Sequence, residues 1–110
     1  MTLSEARFNE LVDATQQKLV NLFDQSRLDL TSEQTAGVLT VKFGNGDTWV
    51  FDRMTPLRQM WLADRSGPFH FHYSEERDEW VCEQTNERLG EVLQRIVVER
   101  GGEKHDFDKV

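Results

Sequence analysis

Two extended runs joined by a glycine-rich turn constrain this chain more than any other feature. From Val38 to Phe43 the side chains alternate, Leu39, Val41 and Phe43 opposing Val38, Thr40 and Lys42. Gly44-Asn45-Gly46-Asp47 then supplies a tight turn before T-W-V-F-D-R (48–53). Side chains of a strand alternate with period two and Asn-Gly favours short reversals, so the segment reads as an antiparallel hairpin. More extended segments follow. Pro56 opens a third, Leu57 to Ala63, closed by Asp64-Arg65-Ser66-Gly67. P-F-H-F-H-Y (68–73) is a fourth, with Phe69, Phe71 and Tyr73 on one face and His70 and His72 on the other. Glu79 to Glu83 is a fifth, Trp80 and Cys82 opposing Val81. Ahead of the hairpin, L-D-L-T (28–31) is a candidate short strand, with a polar turn and Gly37 after it.

Helical periodicity bounds this block at both ends. Phe8, Leu11, Val12, Leu19, Leu22 and Phe23 recur at helical spacing, Thr15 fills the same stripe, and Ser4 suits an N-cap, which predicts a helix over 4–24. Its outward face then carries Glu10, Asp13, Gln17 and Asp24. Leu89, Val92, Leu93, Ile96 and Val97 predict a second helix over 86–100, capped by Thr85 or Asn86 and stopped by Gly101-Gly102. The order helix, five or six strands, helix implies an α+β two-layer sandwich, with both helices on one face of a mainly antiparallel sheet. The other sheet face is then left partly in water. No repeat or linker divides the sequence, so residues 1–110 are expected to form one domain.

Charge narrows the function. Thirteen Lys+Arg against twenty Asp+Glu leave a net charge of -7, the wrong sign for holding nucleic-acid phosphates or anionic lipid. With 30% charged residues, no membrane-spanning run is expected. Basic proteins and cations are the expected partners. The charge is uneven: -3 over residues 1–36, +1 over 37–73 and -5 over 74–110. The single cysteine, Cys82, cannot form an internal disulfide, and M-T-L-S-E-A-R-F is not a leader, so a reducing cytoplasm is the expected location. No Ser-His-Asp order, P-loop, dinucleotide fingerprint or HExxH is present, so the chain is expected not to be an enzyme of those classes.

In order and spacing, G-V-L-T-V-K-F-G-N-G (37–46), P-L-R-Q-M-W-L-A (56–63), G-P-F-H-F (67–71) and D-E-W-V-C (78–82) resemble the frataxins, most closely their bacterial CyaY-type branch. The likeness covers most of 37–82; the helices agree in pattern only. It implies a frataxin-like α/β sandwich that binds iron (Fe²⁺ or Fe³⁺) weakly at its surface. It further implies a modulator of iron-sulfur cluster assembly that docks on a cysteine desulfurase and its scaffold protein. A monomer is implied, with oligomerisation under iron load left open. Weak ferroxidase or iron-storage chemistry, and an adaptor that has lost the iron role, stand as alternatives.

Two surfaces carry over from the resemblance. One is an acidic ridge, here Glu10, Asp13, Asp24, Asp29 and Glu33, with Asp47 nearby on the sheet. Carboxylates are oxygen ligands suited to iron without a closed cage; without the resemblance such spaced acids read as a solvated face. Lys18 and Arg27 interrupt the dense acidic run of close relatives. The other surface is a sheet-face patch around Gln59 and Trp61, with His70 where some members place a basic contact residue, and Asp52 at its edge. Asp52 and Met54 stand where relatives tend to have amides, and His72 where they commonly have an acid. If Met60 and Leu62 face the helices, period two puts Gln59 and Trp61 on the open face; the opposite phase would bury Trp61. His70-x-His72 could form half a zinc site or a plain surface pair. Glu75, Glu76, Asp78 and Glu79 read as solubilising charge at a hairpin tip, and Cys82 as a small packed residue.

Overall fold

A computed structural model describes residues 3–25, 29–99, 107 and 110. Helix α1 (Glu5–Gln25) is followed by six strands, β1 (Leu30–Thr35), β2 (Val38–Phe43), β3 (Thr48–Met54), β4 (Gln59–Asp64), β5 (Gly67–Ser74) and β6 (Glu79–Cys82), and by α2 (Leu89–Glu99). The strands form one antiparallel meander, β1 to β6 in chain order. This is the expected α+β sandwich, with six strands rather than five.

The period-two patterns set which face is buried. Leu39, Val41, Trp49, Phe51, Met60, Leu62, Phe71, Trp80 and Cys82 all point to the helices and are buried. Phe8, Val12, Leu19 and Phe23 of α1, and Leu89, Val92, Leu93, Ile96 and Val97 of α2, close over them. Aromatic edges lock the layers: Phe8 meets Trp80 at 6.1 Å and Phe23 meets Trp49 at 6.1 Å between ring centroids. Thr15, placed in the stripe by spacing alone, accepts a 2.8 Å hydrogen bond from Trp80 Nε1, which explains a hydroxyl in the apolar row. Ser4 is the expected cap, its Oγ accepting from the Arg7 amide at 3.1 Å.

Four of the boundaries that differ from expectation do so for a readable local reason. Residues 32–35 are strand and not turn, since the backbone of β1 pairs with β2 from Leu30↔Phe43 to Thr35↔Val38 although its side chains stay largely exposed. The third run does not start at Leu57: Thr55–Leu57 is a 3-10 turn, and Arg58 adopts a left-handed φ of 52° before the strand begins at Gln59. Neither Thr85 nor Asn86 starts α2 directly. Asn86 has φ 62°, Arg88 bridges to Val81, and the helix begins at Leu89. The fifth strand ends at Cys82, one residue short, where the Cys82 amide turns to the Glu87 carbonyl at 2.7 Å. The Gly101-Gly102 stop lies outside the described residues.

Candidate functional site

The sheet face turned away from the helices carries the first candidate surface. The reset at Arg58 fixes the phase of β4: Met60 and Leu62 are buried, so Gln59, Trp61 and Ala63 face outward. Cross-strand register sets Trp61 between Asp52 on β3 and His70 on β5, and Gln59 between Met54 and His72. Trp61 is half-buried, because its ring stacks on the His70 imidazole at 4.1 Å and an interplanar angle of 15°. Its Nε1 donates to Gln59 Oε1 at 2.9 Å.

His70 is in turn held from behind. Its amide donates to Gln84 Oε1 at 3.2 Å, its carbonyl accepts from the Glu83 amide at 2.8 Å, and its Nδ1 lies 3.6 Å from Glu83 Oε2. Gln84 also donates to the Pro68 carbonyl at 3.1 Å. The result is an oriented aromatic platform with amide and carboxylate neighbours. Aromatic rings with a polar edge, fixed before contact, lose little entropy when a partner covers them. Gln59, Trp61, His70 and Asp52, proposed together from the sequence, are thus neighbours. His72 lies on the same face, two residues from His70.

The ridge residues are not gathered in the same way. Glu10 is exposed and sits 3.5 Å from Arg7. Asp13 pairs with Arg53 Nη2 at 2.9 Å. Asp24 is exposed near the end of α1, and the Asp29 carboxylate lies over the Gly44 backbone, where a Cβ would collide with it. Glu33 stands on the open face of the edge strand β1 opposite Thr40, accepting from Thr35 Oγ1 at 3.4 Å. Asp47 is largely shielded, with Arg65 at 3.3 Å and its amide bonded to Asn45 Oδ1 at 2.9 Å. Among the described residues no three His, Cys, Asp or Glu side chains come together as a metal-binding group. The ridge therefore offers separate carboxylates, three of them, Glu10, Asp13 and Asp47, already paired with arginines, and no preformed cage among the described residues.

Arg53 is the residue that sequence reasoning missed. It follows Trp49 and Phe51 on the helix-facing side of β3, and reaches α1 through Asn9 Oδ1 at 3.0 Å and Asp13, and the Gly37 carbonyl at 3.1 Å. The signal was present: a cation in phase with an apolar row needs a partner on the packing helix. Gln16, only 2% exposed, was also passed over; it donates to the Gly37 and Phe51 carbonyls at 2.9 and 3.3 Å.

Residues 1–103 match the model of the frataxin-like domain. The chain belongs to the frataxin family. It is 66% identical, over the full 110 residues of both chains, to the iron-sulfur cluster assembly protein CyaY of Pseudomonas entomophila strain L48. It is 52% identical, again over the whole of both chains, to the protein of the same name from Ectopseudomonas mendocina. Among solved structures it resembles the frataxin of Psychromonas ingrahamii with a TM-score of 0.85 at 25% identity, covering 96% of this chain and 98% of that one. No helix among the described residues is long and apolar enough to cross a membrane.

Proposed function

We infer that this chain is a cytoplasmic binding protein of iron-sulfur cluster assembly, one that modulates a cysteine desulfurase and its scaffold protein. The observation that carries the reading is the Gln59–Trp61–His70 platform on an uncovered sheet face, in a chain 66% identical to a protein named for cluster assembly. The platform makes the specific contact, and the outward acids of α1 steer the approach to a basic partner surface. Long-range attraction of this kind speeds encounter and fades with salt. Iron is cargo and not a resident cofactor. Separate carboxylates, with no group of three ligand side chains among the described residues, support weak surface binding of Fe²⁺ or Fe³⁺. The chain itself carries no catalytic step in this reading.

The test is an anaerobic Fe²⁺ titration followed by a desulfurase titration, read from backbone amide signals. Iron should perturb the neighbourhoods of Glu10, Asp13, Asp24, Asp29 and Glu33. The partner should perturb α1 and the strands around Trp61, with affinity falling as ionic strength rises. Silence around Trp61 on adding the desulfurase and scaffold, or binding indifferent to salt, would sink the docking account.

A further inference from the structure

We propose that Arg53 controls iron uptake at the ridge by acting as a fixed competing cation at Asp13. This rests on the iron reading given above and adds a residue that decides which acids take the ion. The guanidinium is committed at all three nitrogens: Nη2 to Asp13 Oδ1 at 2.9 Å, Nη1 to Asn9 Oδ1 at 3.0 Å and Nε to the Gly37 carbonyl at 3.1 Å. Its side chain is 16% exposed, whereas that of Asp13 is 69% exposed. The asymmetry matters. Asp13 can be reached by a solvated ion, but Arg53 cannot swing into water to make room, because two neutral acceptors hold it against α1 and the β1–β2 turn. Contrast Arg7, whose side chain is 54% exposed and which meets Glu10 at a looser 3.5 Å. That cation can leave; Arg53 cannot.

A divalent ion at Asp13 therefore faces a unit positive charge that stays in place. At a separation of about 5 Å in a water-like dielectric, screened at physiological salt, this costs about fivefold in affinity. Asp24, eleven residues further along the same helix, is exposed and lies outside the reach of the Arg53 clamp on Asn9, Asp13 and Gly37. Iron should accordingly reach Asp24 before Asp13. The clamp also joins three elements, so driving an ion onto Asp13 at high concentration loosens the hold of β3 and the β1–β2 turn on the first half of α1.

The experiment is an anaerobic Fe²⁺ titration of the full chain, following paramagnetic broadening of the Asp13 and Asp24 amides in the wild type and in Arg53→Gln. Gln16 still donates to the Gly37 carbonyl, which favours retention of the fold, and Arg53→Met, which keeps the aliphatic stem, serves as the second variant. The expected result is a half-point at Asp13 that drops about fivefold in the variant while that at Asp24 stays within twofold. An unchanged half-point at Asp13 in a folded variant overturns the proposal. So does a wild type in which Asp13 responds at lower iron than Asp24, a comparison that needs no variant. If the wild type is silent at both acids but the variant responds at Asp13, the iron reading of the natural ridge fails and the role of Arg53 stands. Silence in both proteins defeats both.

Discussion

Trp49 and Trp61 sit on neighbouring antiparallel strands and differ in almost everything the fold can decide. Trp49 is 1% exposed, with Phe43, Phe51 and Phe23 around it at centroid distances of 4.9, 6.2 and 6.1 Å. Trp61 rests on one imidazole and one amide, and its other ring face is turned away from the helices. The residue type is the same and so is the backbone; only strand parity differs. One face of the sheet uses its aromatics to hold two helices, while the other displays an aromatic that two glutamines and a histidine keep in one orientation. Burial buys stability on the first face, and order without burial leaves recognition to the second.

The sharpest way to break this contrast is to remove each indole in turn. Trp49→Ala empties the centre of the aromatic cluster and is expected to destabilise the fold by about 4 kcal/mol in denaturant unfolding. Trp61→Ala removes a stacking partner from an open face and should cost only about 1 kcal/mol of stability. Its main effect falls on the partner: loss of a central anchor typically weakens binding by about 2 kcal/mol or more, near thirtyfold in Kd. Calorimetric titration with the desulfurase and scaffold checks this. Equal stability losses for the two variants would erase the division of labour between the faces.

A polar residue on the buried side sharpens the same comparison. Gln16 donates to the buried Phe51 carbonyl and to the half-buried Gly37 carbonyl, which Arg53 also reaches, so Gln16→Ala removes a side-chain donor chiefly from a group that water cannot easily reach. A loss of about 1.5 kcal/mol is expected, with partner binding unaffected because nothing on the open face touches it. Thermal unfolding and the same calorimetric titration read the two halves of that statement. A binding defect comparable to that of Trp61→Ala would mean that the faces are coupled through β3.

Much of this division was legible beforehand, and the reason is geometric. Period two is a local property, so Leu39, Val41, Phe71 and Trp80 sort onto one face within a few residues of sequence. The phase of Met60 and Leu62 stayed open in the sequence, and Trp61 goes to the open face because the structure buries those two against the helices. What stayed hidden depends on partners distant in sequence. Ser-Glu-Gln-Thr (32–35) has no apolar alternation and becomes a strand only because β2 offers its free edge. Asp13 and Asp47 look like surface acids until Arg53, forty residues on, and Arg65, across the next hairpin, are seen beside them. Spacing can nominate carboxylates for a metal, but the cations that already occupy them come from other strands.

The smallest expected effect lies at the rim where the buried face meets water. Glu87 accepts from Arg95 Nη2 at 2.9 Å and from its Nε at 3.3 Å, and the same guanidinium lies 5.9 Å from the centroid of the Phe69 ring. Hydrogen bonds from Arg95 hold the Glu87 carboxyl below the ordinary glutamate value of 4.5, against an opposing push from burial. A carboxyl lowered in the folded state releases its proton more readily there than in the unfolded chain. Its contribution is therefore fully present above the unfolded value and is lost as pH falls through the lower folded value. Both side chains are partly in water, 27% and 36% exposed, so screening holds the contribution to at most about 1 kcal/mol. Stability measured from pH 7 down to pH 3 should fall less steeply below about 4.5 in Glu87→Gln than in the wild type, and the two slopes should coincide above pH 6. Glu83, behind the platform on the open face, is the matched comparison at neutral pH: its side chain is 56% exposed and 3.6 Å from His70, so Glu83→Gln should change stability at pH 7 by no more than about 0.3 kcal/mol. A larger loss at pH 7 for Glu83→Gln than for Glu87→Gln would reverse the assignment of stability to the helix side.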